Sequence, residues 1–111
     1  WALAQLAGHP HVVRLVACVD DAARTDDLVA LVLARVRGAP VAAFADELTG
    51  TLDAGKTVCR TPADVLAFAR QVLSVLAALE RRRLVHADLK FDNVLAERRG
   101  DGEGALHCTV I

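Results

Sequence analysis

The chain has 111 residues, of which 54% are hydrophobic and 24% charged, with a formal net charge of −1. That apolar fraction excludes a disordered chain, and the near-neutral balance gives no global field for nucleic acid or an anionic membrane. The longest unbroken apolar run, residues 28–34, is too short for a bilayer-crossing helix, so no membrane segment is expected.

No basic segment followed by an apolar stretch opens the chain as a secretory signal would. Cys18, Cys59 and Cys108 are an odd number at wide spacing, which gives neither a disulfide framework nor a paired-cysteine metal site. They read as small core residues in a reducing, cytoplasmic (intracellular) setting. The sequence has no methionine, opens on Trp1 and stops within the apolar run Leu106 to Ile111, so it reads as an internal piece of a longer protein.

Residues 1–7, with Trp1, Leu3 and Leu6 among alanines, have the spacing of the closing turns of a helix. Gly8 stops it and Pro10 breaks it. β-branched residues concentrate from Val12 to Val19 and predict a strand. Residues 20–27 are polar and turn-like. Leu28 to Val36 is a second apolar run, short enough for a buried strand, and Gly38-Ala39-Pro40 closes it. Residues 41–48 suit a short helix and residues 50–60 a loop.

The strongest element comes next. Thr61 can cap a helix, Pro62 fits its first position, and Asp64 stands where a capping box needs an acceptor. Val65, Ala69, Val72, Leu73, Leu76 and Leu79 then recur at about 3.6-residue spacing through Arg82, predicting a long amphipathic helix with that stripe inward. Arg81, Arg82 and Arg83 complement its C-terminal dipole and read as a solvated helix end rather than a nucleic-acid patch. A strand from Asn93 to Ala96, a glycine-rich turn over residues 99–104 and a return strand from Ala105 to Ile111 predict a hairpin. The fold class is α+β.

One polar loop between the long helix and the hairpin carries chemistry: His86-Ala87-Asp88-Leu89-Lys90-Phe91-Asp92-Asn93. Asp88 offers a carboxylate that can orient a hydroxyl and accept its proton. Lys90 offers an ammonium that can neutralise a moving phosphate, and Asn93 an amide oxygen that can bind Mg²⁺. The bland alternative is a polar loop whose Asp and Asn satisfy nearby backbone groups.

This loop resembles the catalytic loop of the protein kinase family, H-R-D-L-x-x-x-N, with Ala87 in place of the arginine. The resemblance covers nearly the whole chain. Residues 6–15, around His9-Pro10, resemble the family's junction between helix αC and the following strand. Residues 31–38 resemble its next strand and hinge, the long helix its helix αE, and residues 94–111 the strands that lead into D-F-G.

The resemblance implies a kinase-like two-lobe fold, truncated at both ends, from the end of αC through the strand preceding D-F-G. Residues 1–33 would be a remnant of the N-lobe, residues 34–37 the hinge, and residues 38–111 the start of the C-lobe. It further implies ATP and Mg²⁺ as cofactors, and transfer of the γ-phosphate to Ser or Thr hydroxyls of a protein substrate, by the full-length protein rather than this piece alone. Asp88 would be the catalytic base, Lys90 a phosphate contact and Asn93 a Mg²⁺ ligand. His86 would pack the loop against the D-F-G region. Leu33 would hold the gatekeeper position, Ala34 and Val36 would offer backbone groups to the adenine, and Leu95 would pack beneath the ring. Ala87 removes the arginine that in many relatives pairs with a phosphorylated activation loop, and Pro40 stands where many place a ribose-binding acid.

Rival readings are a pseudokinase acting as a scaffold and a small-molecule phosphotransferase of the aminoglycoside-kinase type, whose similar loop commonly lacks a lysine at the position of Lys90. A further rival lies in residues 50–57, which satisfy the P-loop pattern G-x-x-x-x-G-K-T letter for letter. Their context is poor. No convincing strand precedes them, and Pro62 would fall in the second turn of the helix such a loop must open. His9 and His11 have no third metal ligand near them in sequence and read as turn and surface residues.

Overall fold

A computed structural model of the chain describes residues 2–20, 29–41, 61–100 and 105–111. The turn expected over residues 20–27, the short helix over 41–48, the loop over 50–60 with its P-loop pattern, Cys59, and most of the glycine-rich turn lie wholly or largely outside the described residues. The elements in chain order are α1 (Ala2–Gln5), β1 (Leu15–Asp20), β2 (Val29–Leu33), β3 (Ala39–Pro40), α2 (Pro62–Arg81), a 3₁₀ turn (Phe91–Asn93), β4 (Val94–Arg98) and β5 (Leu106–Val110). β1 and β2 form one antiparallel sheet, and β3, β4 and β5, in that order, form another. This is a small α+β arrangement with one long helix.

The capping signals place the start of α2. The Asp64 N–H donates to Thr61 Oγ1 at 3.2 Å, and the Thr61 N–H donates back to Asp64 Oδ2 at 3.0 Å. Asp64 also meets Arg98 of β4 at 2.6 Å with both side chains largely buried, which ties the first turn of the helix to the hairpin. The far end closes in a Schellman motif. The Leu84 N–H donates to the Leu79 carbonyl at 3.0 Å and the Arg83 N–H to the Glu80 carbonyl at 2.9 Å. Arg83 takes the left-handed position (φ 55°) that glycine usually fills.

The buried stripe of the helix overlaps the predicted one at Val72 and Leu79 and is otherwise shifted. Val75, Ala78 and Leu79 are buried, with Phe68 and Val72 packed beside them, whereas Val65 and Leu73 are 52% and 61% exposed and Leu76 is also exposed. The reason is that the apolar face of α2 is wider than the face its partner covers. Periodicity shows that some face is apolar, but the partner decides which face is covered. By length and composition α2 is long and apolar enough to cross a membrane, a test that core helices also pass. Here its covered face lies on β5. Gln71 completes that contact: its Nε2 donates to the Leu106 carbonyl at 2.8 Å, and its Oε1 accepts from the Cys108 N–H at 2.7 Å. The side chain thus stands in for a neighbouring strand along β5.

The core lies between α2 and the hairpin: Leu6, Val75, Ala78, Leu79, Val94, Ala96, Leu106, Cys108 and Val110. Burying one such aliphatic side chain contributes about 1.5–3 kcal/mol. Strand boundaries differ from those expected in a consistent way. Val12 forms an isolated parallel bridge with Val110 instead of opening β1, and Asn93 sits in the 3₁₀ turn before β4. Gly38-Ala39-Pro40 does not only end a strand. Ala39 and Pro40 pair with Ala96 and Leu95 as β3, at the edge of the sheet where a proline's missing N–H costs least. Gly38 has φ 102°, and a Cβ there would collide with the Ala96 carbonyl, so this position requires glycine.

β2 is the clearest departure. All five of its residues are exposed, against the expectation of a buried strand. Its antiparallel partner β1 is the only strand that pairs with it among the described residues. Cys18 of β1 is likewise exposed, whereas Cys108 is buried as expected.

Candidate functional site

The site grows out of the end of α2. After the Schellman turn the chain runs through Leu84 and Val85 to His86, and then reverses at Ala87, which adopts a left-handed conformation (φ 66°) without being glycine. Such a conformation persists only where surrounding contacts over-determine it. Positions on either side of Ala87 are held from across the fold by Ile111. The Ile111 carbonyl lies 3.2 Å from His86 Nε2, and the Ile111 N–H donates to the Asn93 carbonyl at 2.9 Å. Ile111, just past β5, therefore holds the loop at both ends. His86 also lines an apolar pocket of about 230 Å³ with Leu3, Leu6, Val75 and Leu79, and its Nδ1 is buried with no hydrogen-bond partner.

Between these anchors the three candidate groups converge. Lys90 Nζ lies 3.1 Å from Asp88 Oδ2. Asn93 Nδ2 donates to the same oxygen at 2.9 Å and to the Asp88 backbone carbonyl at 2.8 Å. The hydrogen bonds from Lys90 and Asn93 hold the Asp88 carboxyl below the usual carboxylate range, so it is ionised at neutral pH. Its side chain is 65% exposed, open to an incoming hydroxyl. With the Asn93 nitrogen committed to Asp88, the amide oxygen is the atom this residue can offer to a cation. Among the described residues no cluster of three or more His, Cys, Asp or Glu side chains could hold a metal.

Leu33, Ala34 and Val36 stand apart from this cluster in sequence, whereas Leu95 follows Asn93 by two residues. Leu33 ends β2, paired with Leu15, and Ala34 and Val36 lie in the extended link between the two sheets. The Ala34 N–H donates to the Arg14 carbonyl at 2.8 Å, which leaves its carbonyl as the group it can offer. Leu95 lies in β4 opposite Pro40 of β3, and both strands pack against the 3₁₀ turn that carries Asn93. The link and the loop are thus connected through β3 and β4. Sequence reasoning missed Ile111 as the support of the loop, and no local signal marks it, because its role is a pair of backbone hydrogen bonds across the fold. Compared with known proteins, the chain matches no family model and no curated relative.

Proposed function

We propose that this chain is the central part of a protein kinase domain. In its full-length protein that domain transfers the γ-phosphate of ATP to a Ser or Thr hydroxyl. The observation that carries this reading is the meeting of Lys90 and Asn93 on one oxygen of Asp88, in the order and spacing of a kinase catalytic loop. A hydroxyl approaching the exposed Asp88 carboxylate is oriented by it and gives up its proton to it. Lys90, on its long flexible side chain, meets the charge of the phosphoryl group in transfer. Asn93 would hold Mg²⁺ through its amide oxygen, and the bound ion would offset negative charge on the nucleotide phosphates.

In this reading the β1–β2 sheet belongs to the smaller lobe and residues 34–37 are the hinge. Leu33 is the gatekeeper, the Ala34 carbonyl and the Val36 backbone face adenine, and Leu95 packs against the ring. Lys90 favours a protein hydroxyl over a small-molecule acceptor. The glycine-rich loop, strand lysine and D-F-G acid that the activity requires are not among these residues, so the activity is that of a longer polypeptide.

The test is phosphotransfer by the full-length protein. Asp88→Asn should lower kcat by about 10²–10⁴-fold while leaving ATP binding in place. Unchanged transfer in that variant would remove the catalytic role. ATP binding with no transfer in the wild type would assign the scaffold role instead.

A further inference from the structure

Three of the four histidines meet outside the loop. His9 and His11 flank Pro10 in the turn after α1, and His107 lies on β5. The rings of His9 and His11 are 6.0 Å apart and set edge to face, and those of His11 and His107 are 4.9 Å apart. All three are partly buried.

Their partners decide where the protons are. His11 Nδ1 lies 2.9 Å from the Cys108 carbonyl oxygen, which can only accept, so this nitrogen carries hydrogen and donates. The His11 backbone N–H donates to His9 Nδ1 at 3.2 Å, so that nitrogen is bare. A proton added to His9 must go onto this bare nitrogen, and it abolishes the bond.

The row of rings sits where the two sheets are joined. The Val13 N–H donates to the Val110 carbonyl at 2.9 Å, and the Val110 N–H donates to the His11 carbonyl at 2.9 Å. β1 starts just beyond, at Leu15. The surroundings are poor in compensating charge. Arg81 at the end of α2 and Arg82 just after it face His9, which also hydrogen-bonds the Ser74 backbone, a contact that favours the charged ring. Arg99 and Glu97 face His107. Glu97 is the sole acid among these groups, and it is already paired with Arg99 at 3.1 Å.

We propose that the His9–His11–His107 row is a proton-sensitive clasp. With His9 and His107 neutral, it holds the turn at residues 9–13 against β5; with these two charged, it frees the root of the β1–β2 sheet from the three-stranded sheet. Burial, followed by the neighbouring His11, lowers the proton affinity of His9. Burial, followed by Arg99 and His11, does the same for His107. The closed state therefore binds fewer protons than the open one. Closure is complete above the ordinary imidazole value of 6.5 and is lost as pH falls below it. The clasp requires no nucleotide and stands apart from the phosphotransfer reading.

The test is amide hydrogen exchange on the full-length protein at about pH 7.5 and about pH 5.5, corrected for intrinsic rates. Protection at Val13 and Val110 should fall roughly tenfold at the lower pH relative to Val75 in α2. The double variant His9→Asn, His107→Gln should lose this dependence. Equal protection at both pH values, or the same loss in the double variant, would overturn the proposal. NMR titration of the wild-type imidazoles gives a second readout should the variant not fold. His9 and His107 titrating below 6.5 supports the clasp, and titration at or above that value overturns it.

Discussion

β2 and β5 have nearly opposite fates for their composition. β2 reads Val-Ala-Leu-Val-Leu without a polar residue, yet every one of its side chains is exposed. β5 reads Leu-His-Cys-Thr-Val and buries all but its histidine, including Thr109. The difference is coverage. α2 lies over β5, β4 pairs along one of its edges, and the Gln71 amide satisfies backbone groups along it. β2 has β1 alone among the described residues. Apolar content states what a strand could bury, and neighbours determine what it does bury.

Three substitutions test that contrast in the full-length protein by chemical denaturation. Leu79→Ala, in the covered face of α2, should cost about 3 kcal/mol through lost contacts and a residual cavity. A loss below about 1 kcal/mol would mean that the core between α2 and the hairpin is loosely packed. Gln71→Leu should cost about 1–3 kcal/mol, because it leaves the Cys108 N–H without its acceptor beside a buried strand. The smallest effect belongs to Leu31→Thr on β2, within about 0.5 kcal/mol, accompanied by a gain in solubility as an exposed apolar edge is broken. Should Leu31→Thr cost as much as Leu79→Ala, β2 is covered in the full-length protein and the contrast collapses.

The features legible in the sequence were those with local causes. Thr61, Pro62 and Asp64 marked the start of α2 because a capping box is made by residues close along the chain. Gly8 marked the end of α1's turn for the same reason, through its left-handed φ of 83°. The hairpin followed from its turn chemistry. The choice of buried face on α2, the exposure of β2 and the pairing of Pro40 with β4 depend on distant partners, which periodicity cannot see.

The site divides in the same way. Asp88, Lys90 and Asn93 lie within five residues of one another, so their spacing already brought them to one place. The Ile111 support and the contact of His11 with His107 join residues far apart in the chain, so they arise only once β5 has docked.

Ile111 carries a practical consequence. Its N–H reaches Asn93 and its carbonyl reaches His86, so a single residue touches both flanks of the Asp88 loop. Isotopic labelling at that one position would give two separate spectroscopic channels. The amide nitrogen would register disturbance on the Asn93 side and the carbonyl carbon disturbance on the His86 side, allowing a bound molecule to be located without any label on it.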